Sequence, residues 1–445
     1  MVKINHASWQ DHPYWWDAGP DNQPLELELL AKPVEAMPAH TDCVVVGAGY
    51  SGLSAALTLA RAGRSVIVLD SSQPGYGCSG RNGGLIGPSF HKLGLSGLRA
   101  RLGEARAAAI MRESMDILIW LKQFIKREGI ECGLAEVGRF RGAVTVKSYD
   151  ELALQAQGLR KLVDLEYEMV PQSAQLNHIG SDYYQGGIVY HQDGHLHPGL
   201  YLKGLARLAL EVGVQIFAPA RVEQLAATSD GFRVKLGTAS IDCGDAMIAT
   251  NGYTDPAFPY LRRRVIPIRS ALIATEPLTA DLMRELSPQQ QGFGDTSRLM
   301  PYYRPAPDGS RMIFGGRALN LADRPENYAR DLHRLMTRIF PQLRTTGISH
   351  AWSGTVAYTF DHAPHIGRVT EGPMAGVYYA MGYCGSGVGR ASWFGRKAAL
   401  KMLCDPEGST PLDDLTFATR PLYSGRPWFL PAILRWHSLL DRFGY

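Results

Sequence analysis

Three glycines and one aspartate carry the first chemistry that the sequence suggests. Gly47, Gly49 and Gly52 follow a short run of valines and open an apolar segment with helical spacing, and Asp70 ends the next β-branched run. In a strand–turn–helix unit such glycines permit a tight turn, let a pyrophosphate approach the backbone and let the helix pack closely, while an acid about 20 residues later accepts hydrogen bonds from a ribose. The pattern predicts a dinucleotide site at a helix N-terminus. The less favoured alternative is that Asp70 only caps a turn.

A second glycine-rich stretch comes directly after Asp70. Its polar members and glycines include Ser71, Ser79, Arg81, Asn82, Gly83 and Gly84. Glycine backbone can lie close to a flat ligand, and a guanidinium suits a pyrophosphate or the polar edge of a ring. We therefore expect this stretch to contact the ligand, with a plain flexible loop as the alternative.

Two further turns follow apolar strands much later in the chain. The tip Thr250–Gly252 comes after one strand, and the glycine-rich turn Gly382–Gly389 leads from another strand into a helix that ends near Leu403. Because the N-terminus of a helix attracts phosphate, the first and last glycine turns are expected to aim at one ligand.

Arginines concentrate between residues 256 and 348, where the sequence has 14 arginines and no lysine. Tyr303 and Arg304 lie in one predicted strand there, and Arg317 lies at the end of the next. An arginine fork can hold a carboxylate or phosphonate through two hydrogen bonds. A pocket for an amine that bears an acidic group is one interpretation, and a solvated basic face is the other.

Bulk composition limits the class of protein. A chain of 445 residues is expected to form two domains, because single cores stop growing near roughly 250–300 residues. The net charge of +4 is small beside 46 basic residues and does not indicate a nucleic-acid partner. The sequence shows no membrane-length apolar run, no secretory leader and no metal-type cysteine spacing, which together predict a cytoplasmic protein. His195 and His197 lack further ligands nearby in the sequence, so no metal is expected.

The expected organisation is discontinuous. The predicted parts are an N-terminal arm (1–39), a nucleotide domain (40–95, 190–255 and 349–403), a substrate domain (96–189 and 256–348) and a C-terminal tail (404–445). A small antiparallel meander is expected over residues 214–250. The aromatic arm is expected to dock for packing rather than to contact substrate. The amphipathic end of the tail is expected to cover the body, with peripheral membrane contact as the alternative.

The order of these motifs resembles that of the FAD-dependent D-amino acid oxidase superfamily. The shared motifs are the GxGxxG start with its acid, Ser79-Gly-Arg-Asn-Gly-Gly84, Gly194-His-Leu-His-Pro198, Thr250-Asn-Gly252 and the WxG, TxDxxPxIG and GxxGxG end. The likeness spans residues 40 to 400. Within the superfamily, Leu261–Leu278 and Gly382–Val388 are similar to the γ-glutamylputrescine oxidase and glycine oxidase-like branch.

This resemblance implies non-covalent FAD and an α/β fold, in which a Rossmann-like FAD-binding domain of the glutathione-reductase-2 type is interleaved with an antiparallel-sheet substrate domain. It also implies that the backbone of Val222 meets the adenine. The full set of expected cofactor-binding residues is Gly47, Ala48, Gly49, Tyr50, Ser51, Gly52, Asp70, Ser71, Ser79, Arg81, Asn82, Gly83, Gly84, Val222, Thr250, Asn251, Gly252, Gly354, Gly382, Tyr383, Gly385, Gly387 and Val388.

The sequence departs from the wider family at three places. D-amino acid oxidases carry a carboxylate-binding arginine two residues after the glycine of WxG, where this chain has Val356. Sarcosine oxidases attach their flavin to a cysteine just before a Tyr-Thr pair, and this chain has Ala357 before Tyr358 and Thr359. They also use a lysine above the flavin to speed oxygen reduction. The lysine-free stretch 236–396 argues against an equivalent and against rapid reaction with oxygen.

These observations favour an FAD enzyme that oxidises a primary or secondary amine with a distant acidic group to an imine and then an aldehyde, with O2 as acceptor and H2O2 as product. The alternative is a D-amino acid or N-methyl amino acid dehydrogenase that passes electrons to a quinone. The expected apolar wall consists of Tyr253, Tyr303, Trp352 and Tyr358, and the candidates for binding the acidic group are Arg304 and Arg317. A flavin-bound tRNA-modifying or assembly factor is much less favoured, since no basic tail is present.

Overall fold

The computed structural model describes residues 9–317 and 324–443. Strands and helices alternate along most of this length. The strands are β1 (His40–Val46), β2 (Val66–Leu69), β3 (Leu85–Ile86), β4 (Arg139–Gly142), β5 (Tyr167–Val170), β6 (Gly187–Tyr190), β7 (Gly194–His195), β8 (Gln215–Phe217), β9 (Gln224–Ala227), β10 (Phe232–Leu236), β11 (Ala239–Ile248), β12 (Ile266–Thr275), β13 (Gly292–Asp295), β14 (Tyr302–Pro305), β15 (Met312–Arg317), β16 (Ile348–Tyr358), β17 (His365–Arg368) and β18 (Tyr378–Met381).

The α-helices mostly pack against one or the other of two large sheets. They are α1 (Tyr14–Asp17), α2 (Tyr50–Arg61), α3 (Gly94–Leu102), α4 (Glu104–Arg127), α5 (Val146–Arg160), α6 (Pro198–Glu211), α7 (Pro259–Arg262), α8 (Ala280–Leu286), α9 (Pro325–Ile339), α10 (Gly387–Met402) and α11 (Leu430–Phe443).

The first sheet positions the predicted nucleotide site. Its strand order is β17-β18-β11-β1-β2-β8, and all neighbours from β18 to β8 pair in parallel. Strand β1 lies at the centre of this sheet. Its run of valines is explained by the covering of both faces of a parallel sheet. Val45 packs in the core that contains helices α2 and α10, whereas Val44 packs on the opposite face with Phe232. The carboxyl ends of these strands therefore meet at one edge, where ligands bind in open α/β sheets.

The second sheet has the order β16-β12-β15-β14-β13-β4-β6-β5 and is antiparallel except for the β13–β4 pair. Side chains alternate between its two faces. One face packs on α9 through a core that includes Phe140, Phe293 and Phe314. The other face carries Arg141 and Tyr302, and the ring of Tyr302 lies against Gly83 in the loop that follows β2.

Two expected boundaries differ from the sheet membership. Strand β16 pairs with β12 along almost its whole length. Residues 348–358 therefore belong to the second sheet, whereas the sequence predicted 349–403 to be part of the nucleotide domain. Strand β8 pairs in parallel with β2, because α6 returns the chain to the first sheet as a crossover. The antiparallel meander expected over 214–250 is therefore limited to β9, β10 and β11.

The two terminal segments lie against the body. Trp15 in the arm is fully buried and donates its Nε1 to the carbonyl of Asn82 at 2.7 Å. In the tail, the Tyr423 hydroxyl donates to the Val265 carbonyl at 2.7 Å, while Trp428 and Trp436 next to and within α11 are exposed. None of the helices in the described part of the chain has both the length and the apolar character needed to cross a bilayer.

Candidate active site

The first glycine turn joins β1 to α2. Gly47 has φ +111°, a conformation that favours glycine, and a Cβ on Gly52 would collide with the carbonyl oxygen of Gly47. A Cβ on Gly49 would lie 2.9 Å from the hydroxyl of Ser79. The missing side chains thus let the strand, the helix and the Ser79 loop converge, and they leave the amide end of α2 open to an anion.

Asp70 stands at the end of β2, where the sequence predicts the ribose-binding acid. Its two carboxylate oxygens accept hydrogen bonds from the amides of Ala48 at 2.7 Å and Ser72 at 3.0 Å. Burial raises the pKa of Asp70 to about 6, and the two amide donors act against that rise. The carboxylate is thereby fixed beside the glycine turn and can still accept from a ligand hydroxyl when it is ionised.

The loop after Asp70 is held by its own polar groups. The Ser79 hydroxyl accepts a hydrogen bond from the amide of Tyr50 at the start of α2. Asn82 donates to the carbonyls of Cys78 and Ser79 and accepts from the amide of Gly84. Asn82 therefore shapes the turn in addition to lining the cavity.

Arg81, expected at a pyrophosphate or the polar edge of a ring, has partners within the protein and is not among the residues that line the cavity described below. Its guanidinium donates to the carbonyls of Tyr76 at 2.6 Å and Ser353 at 3.1 Å. It also lies 4.5 Å from the ring centroid of Tyr76 and 5.0 Å from that of Trp16. Aromatic faces and carbonyls thus stabilise the cation on the arm side of the loop, where it ties the loop to β16.

The last glycine turn is joined to the first one directly. The hydroxyls of Ser51 in α2 and Tyr383 lie 2.6 Å apart, and Gly395 of α10 packs so closely on the backbone of Ser51 that a Cβ would collide with it. The side-chain oxygen of Asn251 accepts a hydrogen bond from the amide of Gly382 at 2.9 Å. The three predicted turns therefore form one connected structure.

A long cavity follows these turns. It has about 1310 Å³ of space, a figure that includes the open solvent at its mouth. It extends from Asp70 and Val222 past the first glycine turn to the last one. The predicted cofactor residues that line it are Gly47, Gly49, Tyr50, Ser51, Asp70, Ser71, Ser79, Asn82, Val222, Thr250, Asn251, Tyr383, Gly385, Gly387 and Val388.

The other predicted cofactor residues stand behind or beside that lining. They are Ala48, Gly52, Arg81, Gly83, Gly84, Gly252, Gly354 and Gly382. Several allow close packing of the walls: a Cβ on Gly252 would meet the carbonyl of Thr355, and one on Gly382 would meet the side chain of Thr359. The amide end of α2, the half-buried Asp70 carboxylate and these close approaches fit the phosphates, ribose and flat ring of FAD.

Arg317 and Tyr358 meet beside the last glycine turn. The Nη2 of Arg317 donates to the Tyr358 hydroxyl at 2.6 Å. A Cβ built on Gly385 would lie 2.9 Å from the same Nη2 and 3.4 Å from that hydroxyl. Desolvation raises the pKa of Tyr358, and the nearby Arg317 acts against this rise. The pair thus places a cation, oriented by a hydrogen bond, beside the last glycine turn.

Three of the residues predicted to contact the substrate do not line this cavity: Tyr303, Arg304 and Trp352. Tyr303 is on the α9 face of its strand, where its hydroxyl lies 2.8 Å from that of Tyr184. Arg304 is fully buried, donates to the carbonyls of Leu196 and Pro305, and lies 5.3 Å from the ring centroid of Trp15. Neither is available to bind substrate, because one packs in a core and the other is covered by the arm.

Trp352 is the third residue that was predicted to contact the substrate and lies elsewhere. It is fully buried and donates its Nε1 to the carbonyl of Arg81 at 2.8 Å, so it supports the loop and is not a wall of the cavity. Tyr253 does line the cavity, and its hydroxyl accepts from the amide of Thr355 at 3.1 Å. Val356 lines the cavity as well, which places the missing family arginine at a position that faces the ligand.

The structure brings further residues to this site that the sequence reasoning missed. Tyr302, not Tyr303, faces the site: its ring lies over Gly315 and against Gly83, and its hydroxyl is 3.0 Å from that of Ser270. Strand alternation was the signal that separates the two tyrosines. Lys92 was missed because it comes from the loop before α3, far outside the arginine-rich stretch.

Lys92 is a cation close to Arg317. Its side chain is exposed, and among the described residues none forms a hydrogen bond or ion pair with its ammonium. Desolvation, together with the positive charges of Arg317, Arg390 and Arg141, lowers its pKa to about 8. An exposed group that is also desolvated lies in a recess and not on open surface. The absence of lysine from residues 236–396 therefore does not leave this region without one.

The two histidines of the Gly194–Pro198 motif have structural partners. His197 caps α6 through Nδ1 and its Nε2 lies 2.9 Å from the carbonyl of Ala18. Desolvation lowers the pKa of His195 to about 3 and of His197 to about 4. Elsewhere, His12 and His350 each hydrogen-bond to Asp17, at 2.7 and 3.1 Å, in a group with metal-compatible spacing that here holds the arm on β16.

A Rossmann-like sheet, two glycine turns meeting at helix N-termini and an acid at the end of the second strand are together typical of a dinucleotide-dependent enzyme of α/β type. The chain belongs to the FAD-dependent oxidoreductase (DAO) family, whose model matches residues 42–400. The expected fold class and the FAD requirement are confirmed by this membership.

Curated relatives extend over nearly the whole chain. It is 31% identical over 440 residues to the probable oxidoreductase OrdL of Haemophilus influenzae, covering 95% of both chains. It is also 31% identical over 412 residues to the gamma-glutamylputrescine oxidoreductase of Escherichia coli, covering 91% of this chain and 93% of the relative. Among solved structures, glycine oxidase from Geobacillus kaustophilus matches with a TM-score of 0.72 at 17% identity, covering 86% of this chain and 99% of that one. This last likeness shows the fold.

Proposed function

We propose that this FAD-dependent oxidoreductase oxidises a primary or secondary amine that carries a distant acidic group. The amine loses a hydride from its α-carbon and a proton from nitrogen to give an imine, and water then converts the imine to an aldehyde and releases the nitrogen part. The gamma-glutamylputrescine oxidoreductase relative acts on a donor of this kind by its name, which supports the amine class for this chain.

The observation that carries the proposal is the position of Arg317. Its guanidinium is oriented by the Tyr358 hydroxyl next to Gly385, while Val356 stands where D-amino acid oxidases bind the α-carboxylate. A site whose cation lies away from the position that binds an α-carboxylate suits a substrate whose acidic group is remote from the reacting amine. An arginine fork is well matched to such an acid.

The remaining residues bind and orient the substrate. Bound FAD supplies the two-electron acceptor for the hydride. Tyr302 and Tyr358 provide aromatic surface beside Arg317, and this low-dielectric surrounding disfavours the ammonium form of the substrate amine. A neutral amine has a free lone pair that strengthens hydride loss from the adjacent carbon. No general base among the side chains is needed for that effect.

The proposed electron acceptor is O2, which is reduced to H2O2, with a quinone as the alternative. Lys92 in the recess supports the oxygen reaction more than the sequence had suggested, because a cation near the site stabilises reduced oxygen species as negative charge develops. The relative rates at which the reduced flavin reacts with O2 and with a quinone decide the acceptor, so the experiment has to measure these rates.

The test is anaerobic bleaching of the flavin absorbance by a panel of amines, followed by admission of air. We expect bleaching by γ-glutamylputrescine or another amine with a distant acid, none by D-alanine, and recolouring in air with formation of H2O2. Bleaching by D-amino acids alone would contradict the substrate class. Recolouring that is slow in air and fast with a quinone would make the protein a dehydrogenase.

A further inference from the structure

A second group of ligand-type side chains lies where the N-terminal arm meets β16, and none of its members lines the cofactor cavity. Gln10 in the arm pairs in parallel with His350 in β16, and its amide donates to the carbonyl of Ser349 at 2.9 Å. This pairing adds the arm to the edge of the second sheet. It sets His12, and Asp17 at the end of α1, beside the side chain of His350.

The three side chains converge on one oxygen atom. The Nε2 of His12 lies 2.7 Å from the Oδ2 of Asp17, and the Nε2 of His350 lies 3.1 Å from the same oxygen. One potential ligand atom from each residue lies within 4.8 Å of the other two. Two imidazole nitrogens and a carboxylate oxygen are ligands that zinc and similar divalent ions take in proteins, with a further position left to water.

The hydrogen bonds of His350 determine which of its nitrogens faces Asp17 with a lone pair. The Ser349 hydroxyl donates its one proton to the carbonyl of Thr275 at 2.8 Å, so it can only accept from the Nδ1 of His350, 3.0 Å away. This pattern assigns the hydrogen of the neutral imidazole to Nδ1. The Nε2 lone pair is then directed at a carboxylate oxygen, and the two atoms attract each other only through a shared cation, either a proton or a metal ion.

An open cavity gives a metal ion and its water access to this group. It has about 590 Å³ of space including open solvent, and His12 and Asp17 line it together with Glu26 and Glu28. In the described part of the chain, no lysine or arginine lines this cavity. The side chain of Asp17 is 45% exposed. Carboxylates around a cavity raise the local concentration of cations.

The neighbouring cation Arg311 does not take the place of a metal ion. Its charge acts on His350, but its guanidinium donates to the carbonyl of Thr275 at 2.8 Å and lies 5.6 Å from the ring centroid of Tyr14. Among the residues that the structure describes, Asp17 therefore has only the two histidines as ionic partners.

We propose that His12, Asp17 and His350 bind a divalent cation of the zinc type, with water from the cavity completing its coordination. Each imidazole contributes its Nε2 and carries its hydrogen on Nδ1, and Asp17 contributes a carboxylate oxygen. The sequence motifs do not reveal this group, because Asp17 and His350 are 333 positions apart. The inference does not depend on the proposed function.

The ion fastens the arm to the body next to the cofactor loop. The ring of His12 stacks on that of Trp16, with the centroids 6.2 Å apart, and Trp16 faces the guanidinium of Arg81 at 5.0 Å. The adjacent Trp15 donates to the carbonyl of Asn82. An ion that joins the arm to β16 binds the folded chain in preference to the unfolded one, so it raises the stability of the protein.

The test is calorimetric titration of the holoenzyme with Zn²⁺ after treatment with a chelator and dialysis. We expect one Zn²⁺ per chain with a dissociation constant of about 1 μM or lower, and a higher melting temperature in its presence. In H12Q and in D17N the affinity should fall at least about tenfold and the rise in melting temperature should be lost, because one ligand is removed. An excess of about a hundredfold of Mg²⁺ should not displace Zn²⁺, since Mg²⁺ prefers oxygen ligands.

The matched control is H191Q. His191 also lies near a carboxylate, that of Glu168 at 3.8 Å, but it belongs to no group of three ligands in the part of the chain that the structure describes. This variant should bind Zn²⁺ as the wild type does. Absence of a site with one Zn²⁺ per chain, an unchanged affinity in H12Q and D17N, or displacement by Mg²⁺ would overturn the inference and leave the group as an ion pair that holds the arm.

Discussion

The Nη2 of Arg317 lies 2.6 Å from the hydroxyl of Tyr358, and the two residues come from the strands that flank β12 on either side. The hydrogen bond fixes one arm of the guanidinium, and no residue in the described part of the chain is hydrogen-bonded to the other arm. The Tyr358 hydroxyl orients the guanidinium without changing its charge, so the effect of orientation and the effect of charge can be tested separately.

Replacing Tyr358 by phenylalanine keeps the ring and removes only the acceptor for Arg317. We expect KM for an acid-bearing amine to rise about 2- to 10-fold with kcat nearly unchanged, since a hydrogen bond contributes ~0.5–1.5 kcal/mol. Steady-state kinetics measure this. Tyr167→Phe on edge strand β5 is the control and should behave as wild type. An unchanged KM in Y358F would show that the pair does not serve binding.

Asp70→Asn should weaken FAD binding by about tenfold or more, because a hydrogen bond to a charged acceptor is lost. The affinity of the wild-type apoprotein should also fall as the pH drops through about 6, where the Asp70 carboxyl becomes protonated. Protonation removes the negative charge that a ribose hydroxyl donates to, so affinity is high above this pH and low below it. Titration of the apoprotein with FAD between pH 5 and about 8 measures both effects.

The Asp70 experiment has a control in Asp230→Asn, an exposed aspartate before β10. The control should bind FAD as the wild type does at each pH. A D70N variant that retained the same decline below pH ~6 would assign that decline to another group.

Gly52→Ala should abolish or greatly reduce FAD content and lower the melting temperature, because the new Cβ would collide with the carbonyl of Gly47. Gly158→Ala is the matched control within helix α5, where a Cβ meets no atom within 4 Å. That change should stabilise the protein by about 0.5–1 kcal/mol. Flavin occupancy and thermal melting give the two readouts, and normal FAD content in G52A would refute the role given to Gly52.

Val356→Arg restores a cation at the position that D-amino acid oxidases use for the α-carboxylate. Since Val356 lines the cavity, we expect D-alanine to bleach the variant's flavin at least about tenfold faster than that of the wild type. Val356→Leu controls for size and should give no gain. Stopped-flow absorbance under anaerobic conditions measures the rates; an equal response from both variants would place the α-carboxylate elsewhere.

The cofactor half of the site was predictable because its signals are local. The roles of Gly47, Gly49 and Asp70 depend on backbone conformation and on short spacing in the sequence. A sequence motif shows both of these features. The substrate half depends on which face of a strand a side chain occupies, and a one-residue difference separates Tyr302 from Tyr303. Arg304 was misplaced for another reason: only the folded arm shows that Trp15 covers it.

Lys92 shows the limit of reasoning from regional composition. The arginine-rich stretch 256–348 was a real signal, but the recess also takes a cation from a loop more than 150 residues earlier in the chain. No local pattern around Lys92 identifies this, because its neighbours in space come from β4, β15 and α10. Long-range packing decides the charge of the recess.

The hydroxyl contact between Ser51 and Tyr383 joins residues 332 positions apart. During synthesis the first glycine turn leaves the ribosome long before its partner, and domains assemble as their segments emerge. A nascent chain that ends before α10 lacks one wall of the cofactor cavity. The cofactor cavity is therefore complete only after the segment that forms α10, which ends at Met402, has been synthesised.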